Sequence, residues 1–106
     1  MKEHTRIKAD FRLLTSEEGG RLSPISSGYH AAMWFGETNA EGLRMYWDGF
    51  LTVEKDRVLC PGDSAVVFIE PLVPETLTKA RPGVKFEVAE GWRVIGEARV
   101  RELVEP

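Results

Sequence analysis

One cysteine and two histidines are all that this 106-residue chain offers to thiol or imidazole chemistry. With Cys60 alone, no internal disulfide and no multi-cysteine zinc site can form. His4 and His30 belong to no H-x-x-x-H or comparable ligand spacing, so neither a metal nor a cofactor is expected. Cys60 directly precedes the turn signal Pro61-Gly62-Asp63 and reads as a small buried residue rather than a nucleophile. Also missing is any apolar run approaching the roughly 18 residues of a membrane-spanning helix. The opening MKEHTRIKADF carries charges where a signal peptide would be apolar. A basic excess is absent too: the formal net charge is −3, whereas non-specific nucleic-acid binders are usually strongly cationic. The expected setting is the cytoplasm, without membrane contact.

What is present describes a globular chain. A hydrophobic share of 42% beside 29% charged residues places it outside the disordered class, and its length suits one domain spanning residues 1–106. RIKADFRLL (6–14) alternates Ile7, Ala9, Phe11 and Leu13 with Arg6, Lys8, Asp10 and Arg12, the period of a half-buried strand. GYHAAMWF (28–35) is a second strand candidate. LRMYWDGFLTV (43–53) carries a hairpin signal at Asp48-Gly49, where a two-residue turn is predicted. SAVVFIE (64–70) is nearly continuous and apolar, so burial on both faces is expected. VKFEV (84–88) alternates again, and WRVIGEARVREL (92–103) makes one long or two short strands. PETLTKA (74–80) has room for one short helical turn, and no segment carries a helical stripe of useful length. Strands at this spacing, punctuated by Gly, Pro and Asp, predict an all-β antiparallel barrel or sandwich. Its core is predicted to draw on Phe11, Leu13, Val66, Phe68, Phe86, Val88, Val94 and Val100.

TSEEGGRLSP (15–24) is the one stretch that invites a catalytic reading. It lacks the G-x-x-x-x-G-K-[ST] order of a phosphate loop, and no helix follows it. No G-x-S-x-G elbow occurs anywhere in the chain. Neighbouring Glu17 and Glu18 diverge on any regular backbone, which is poor geometry for an acid–base pair. A bend, with Gly19 or Gly20 at positive φ, accounts for the stretch, and no enzyme activity is expected.

The same bend is also part of a longer pattern. HTRIKADFRLLTSEEGGRLSP followed by Gly28-Tyr29 resembles the opening of the C-terminal (third) domain of elongation factor Tu. Later landmarks follow in order: Pro61-Gly62-Asp63, Pro71 after an apolar strand, Gly83 with Phe86, and Glu90-Gly91-Trp92-Arg93-Val94-Ile95-Gly96. The resemblance covers His4 to about Val104 and implies a six-stranded antiparallel β-barrel, here as a stand-alone protein. Neither the GTP-binding domain nor the second domain of the factor is among these residues, so GTPase activity is not implied. The resemblance does imply RNA-contacting positions, and Arg21, Glu90 and Gly91 match them. Other matching positions have changed: Glu70 stands for a lysine that can meet a phosphate, Ala32 for a glutamine and Glu41 for a threonine. Trp92 replaces the second glycine of the usual Glu-Gly-Gly-Arg. Carboxylates at phosphate contacts turn attraction into repulsion, so tRNA binding is expected to be weak or absent.

The interval from Gly42 to Pro61 is longer than in the family and rich in Met45, Tyr46, Trp47, Phe50 and Leu51. An extended hairpin around 43–53 would pair Trp47 with Phe50 on one face and Tyr46 with Leu51 on the other. These four residues are therefore candidate partner-binding anchors, with homodimerisation through the hairpin as the competing outcome. Two functions remain. One is a non-enzymatic, translation-associated module that binds a translation factor, a ribosome component or RNA. The other is an inhibitor, immunity-type or adaptor module using the barrel outside translation.

Overall fold

The computed structural model describes residues 4–105. The chain forms six strands: β1 (Arg6–Leu13), β2 (Tyr29–Thr38), β3 (Arg44–Val53), β4 (Ser64–Pro71), β5 (Lys85–Glu90) and β6 (Arg93–Val104). They close into an antiparallel barrel in the order β1-β4-β3-β2-β5-β6, with β6 pairing back onto β1. Closure leaves no exposed sheet edge along the paired segments. Short 3-10 turns at Ser16–Glu18, Glu54–Asp56 and Pro74–Thr78 link the strands.

The predicted alternation of β1 holds along its length, with Ile7, Ala9, Phe11 and Leu13 all buried. Phe11 lies over Gly96 of β6, and its ring fills the space where any other residue would place a Cβ. Phe86 and Val88 of β5, Val100 of β6, and Leu51 and Val53 of β3 complete much of the same core.

Three of the predicted core residues are displaced. On β4 the inward pair is Val67 and Ile69, while Val66 and Phe68 are only half-buried. Four successive apolar residues carry no alternation from which the phase can be read. Nor is β4 sealed on both sides: the outer face of the Phe68 ring is covered by cations, with Arg6 4.7 Å and Lys8 5.9 Å from its centroid. On β6, Ile95 replaces Val94 in the core. The cause is a bulge: Val88 pairs with Gly96, but Ala89 pairs with Val94, which leaves Ile95 as the extra residue.

The predicted turn at Asp48-Gly49 does not exist. Arg44–Val53 is one continuous strand, in which Asp48 pairs with Ala32 and Gly49 with both Ala31 and Pro71. Gly49 is required by packing: a Cβ there would lie 2.7 Å from Ile69 Cγ2 and 2.9 Å from the Glu70 carbonyl. The hairpin turn lies upstream, where Asn39 Oδ1 accepts from the amides of Glu41 (2.9 Å) and Leu43 (3.0 Å) and Gly42 takes φ 82°. Cys60 is exposed rather than buried. Its neighbour Leu59 bridges to Ile25 and turns into the core, which sends Cys60 outward.

Candidate functional site

Thr15 and Glu18 build the bend that launches Arg21. The Glu18 amide donates to Thr15 Oγ1 (3.2 Å) while the Thr15 amide donates to Glu18 Oε1 (2.9 Å), a reciprocal cap. Gly19 then takes φ 91°, the positive value expected of this bend. Glu18 also receives two hydrogen bonds from Arg12, at 2.9 and 2.6 Å. This guanidinium, helped by the Thr15 amide, holds its carboxyl at about 2. Glu17 is simply exposed. The two glutamates thus meet different surroundings and form no acid–base pair.

Beyond the bend, Arg21 and Glu90 come together although 69 residues separate them, with Nη1 2.8 Å from Oε2. The rest of the guanidinium is turned inward as well: Nε donates to the Ser23 carbonyl at 3.0 Å and Nη2 to Ser23 Oγ at 2.9 Å. Its Cζ lies 5.5 Å from the centre of the Tyr29 ring. The Tyr29 hydroxyl is buried beside this pair without a hydrogen bond of good geometry. Burial, and secondarily the Glu90 carboxylate, raises that phenol above its ordinary value. Gly91, at φ 57°, makes the tight turn from β5 into β6. The fold therefore gathers the three residues matched to RNA contacts, but commits the cation to a carboxylate of its own chain.

On either side of this pair stand two apolar side chains in water: Leu22 is 85% exposed and Trp92 87%. The Arg21–Glu90 bridge ties the loop that carries Leu22 to the turn that carries Trp92. Leu22 was missed by the sequence reading because a single leucine beside Ser23-Pro24 gives no signal of exposure. Trp92 stood out in the sequence only as the replacement of a family glycine.

The four proposed anchors do not share a face. Leu51 is fully buried in the core and is closed to any partner. Trp47 is half-buried; its indole donates to Glu37 Oε1 at 3.3 Å, and the Lys79 ammonium lies 5.9 Å from its ring. Glu37 is bound in turn to Lys79 at 2.8 Å. Lys79 first, then the Trp47 hydrogen bond, keep its carboxyl below the usual range. Tyr46 is half-buried. Phe50 alone is well exposed, at 47%, tilted against His30 at 5.5 Å between ring centres.

Glu70 lies 2.7 Å from His4 Nδ1, and Asp48 lies 3.2 Å from His30 Nε2, so carboxylates line this side of β3 and β4. Ala32 sits in mid-strand on β2, and Glu41 is exposed in the β2–β3 turn. Among the described residues, no group of three or more His, Cys, Asp or Glu is placed to hold a metal ion. None of their helices is long and apolar enough to cross a membrane.

The barrel, the capped Thr15–Gly19 bend and the Arg21–Glu90 corner are thus the structural setting of the ordered motifs read from the sequence. A family model for the elongation factor Tu C-terminal domain matches residues 1–104, and the chain belongs to that family.

Proposed function

We propose that this chain is a non-enzymatic binding module that serves translation through a protein partner and grips aminoacyl-tRNA weakly or not at all. The observation that carries this reading is the Arg21–Glu90 ion pair, flanked by exposed Leu22 and Trp92. An RNA-gripping corner needs cations free to displace counterions from phosphates. Here the arginine is neutralised within the chain, and the groups facing water beside it are a leucine and an indole. Trp is a frequent anchor of protein interfaces, and exposed apolar side chains favour protein contact. Glu70, beside His4, adds a carboxylate where a phosphate would have to approach.

Membership of a translation-factor family supports a translation setting, and with it the cytoplasm. These residues offer no nucleophile–base set and no phosphate loop, so neither binding nor hydrolysis of GTP is expected of them. The test is recovery of partners from a cell extract, with and without RNase, using the wild type and Trp92→Ala. RNase-resistant recovery of a translation factor or ribosomal protein, reduced by Trp92→Ala, supports the proposal. Recovery that disappears with RNase, or tight specific tRNA binding in a filter assay, overturns it. Recovery of a single protein unconnected with translation would move the module to an inhibitor or adaptor role. Saturable GTP binding at micromolar nucleotide would defeat the non-enzymatic reading.

A further inference from the structure

A second surface lies across the sheet, away from the Arg21–Glu90 corner. It is a groove of about 720 Å3 lined by residues 10–12 of β1, 64–66 of β4, 97–99 of β6, 85–87 of β5 and 34–36 of β2. Phe11 and Phe86 lie beneath it, nearly fully buried, and Phe35 packs on Phe86 with 5.0 Å between ring centres. The groove crosses five neighbouring strands. These are five of the six strands of the closed barrel, so the groove follows the curve of the wall from β4 round to β2, the two strands that flank β3. A short extended segment can follow that course, whereas a pocket of this volume admits neither a folded domain nor a nucleic-acid duplex.

The charges along the groove select among extended chains. Two like-charged pairs face each other across β5 and β6: Glu87 opposite Glu97, and Lys85 opposite Arg99. Direct opposition of like charges costs stability unless something neutralises it. The acidic pair is neutralised from within, since Arg44 lies 2.8 Å from Glu87 and Arg12 lies 3.4 Å from Glu97. The basic pair is not: neither Lys85 nor Arg99 makes an ion pair or side-chain hydrogen bond among the described residues. Asp10, opposite Arg99, is hydrogen-bonded to Arg101 at 2.8 Å and meets Arg99 only as a weaker charge nearby. Lys85 and Arg99, both exposed, are the cations of the groove left to meet an anion from outside the barrel.

We infer that this groove takes an extended acidic peptide segment of a partner protein, with a carboxylate bridging Lys85 and Arg99 and an apolar side chain near Phe35. A peptide fits better than a single-stranded nucleic acid because Asp10, Glu87 and Glu97 interrupt the cationic ground. A continuous phosphate backbone would have to pass these carboxylates, whereas a peptide can place its charges one at a time. The ladder between β2 and β5 covers only Ala32–Trp34 against Glu87–Ala89, so the strands diverge where the peptide would enter.

The test is fluorescence anisotropy with two labelled octapeptides of Ser and Thr with one Phe, one carrying a single central Glu and the other Gln in its place, and with labelled oligo-dT. The Glu peptide is expected to bind at least about tenfold more tightly than the Gln peptide, with affinity falling as salt rises. The double variant Lys85→Gln, Arg99→Gln should lose about tenfold in affinity for the Glu peptide while Arg21→Ala loses none. Lys85→Glu supplies an acid opposite Arg99, so it should raise the melting temperature and abolish binding, which separates loss of the site from loss of the fold. Equal affinity for both peptides, tighter binding of oligo-dT, or undiminished binding by Lys85→Glu would overturn the inference. The groove shares no residue with the Arg21–Glu90 corner, so a failed peptide titration leaves the proposed function standing.

Discussion

Glu18 serves the backbone and a neighbouring strand at once, closing the cap with Thr15 while receiving the Arg12 guanidinium. Its carboxyl falls from the ordinary 4.5 to about 2 in the folded chain. A depressed acid contributes stability that is fully present above its unfolded value and is lost as pH falls through its folded value. Urea midpoints should therefore decline as pH drops from about 5 to about 2, and Glu18→Gln should flatten that decline. A midpoint that falls equally steeply in both proteins would place the acid sensitivity elsewhere. Glu70 is the residue on which tRNA avoidance can be measured. Glu70→Lys should strengthen whatever weak tRNA binding the wild type shows, and steepen its dependence on salt by about one phosphate contact. Arg21→Ala should reduce any such binding. Unchanged filter-binding curves for both variants would mean that this side of the barrel does not meet RNA.

The strand β3 decides most of what differs between the sequence reading and the fold. With Gly49 inside the strand and no room for a Cβ, Gly49→Ala should destabilise the barrel by roughly 1–3 kcal/mol through overpacking. Leu51→Ala should cost about 2–5 kcal/mol as a core truncation, while Phe50→Ala should stay within about 0.5 kcal/mol as a mainly surface change. Chemical denaturation of the three variants checks this order, and a costly Phe50→Ala beside a cheap Leu51→Ala would reverse the face assigned to the strand. The alternation of β1 and the turn punctuation were legible because period and breakers are local properties. Asp48-Gly49 misled for a physical reason: a glycine demanded by close approach of β4 looks the same in sequence as one demanded by a turn. The Val-Val-Phe-Ile run of β4 hid its phase, and the bulge at Ile95 shifted the phase of β6. Of the candidate site, Arg21, Glu90 and Gly91 were legible through family motifs. The opposition of Lys85 and Arg99 was not, since it exists only in the register of β5 against β6.

For the molecule as a whole, chain order and spatial order diverge: β1 pairs with β4 and β6, so the barrel closes only when distant segments meet. Closure places Arg6 opposite Val104, ladder neighbours whose Cα atoms are about 5 Å apart in an antiparallel pair. A short flexible linker from residue 104 to residue 6 should therefore be accommodated without strain. This permits circular permutants that ask which of the two candidate turns is real. New termini between Ala40 and Glu41 fall in an exposed turn, where a break removes no strand pairing. New termini between Asp48 and Gly49 would cut β3 where it pairs with β2 on one side and, from Gly49 onward, with β4 on the other. The first permutant is expected to retain the strand content of the parent by circular dichroism and to unfold cooperatively. The second is expected to lose cooperative unfolding, because the cut separates residues that both neighbouring strands require. A folded second permutant, or an unfolded first one, would show that the β2–β3 connection is built the other way.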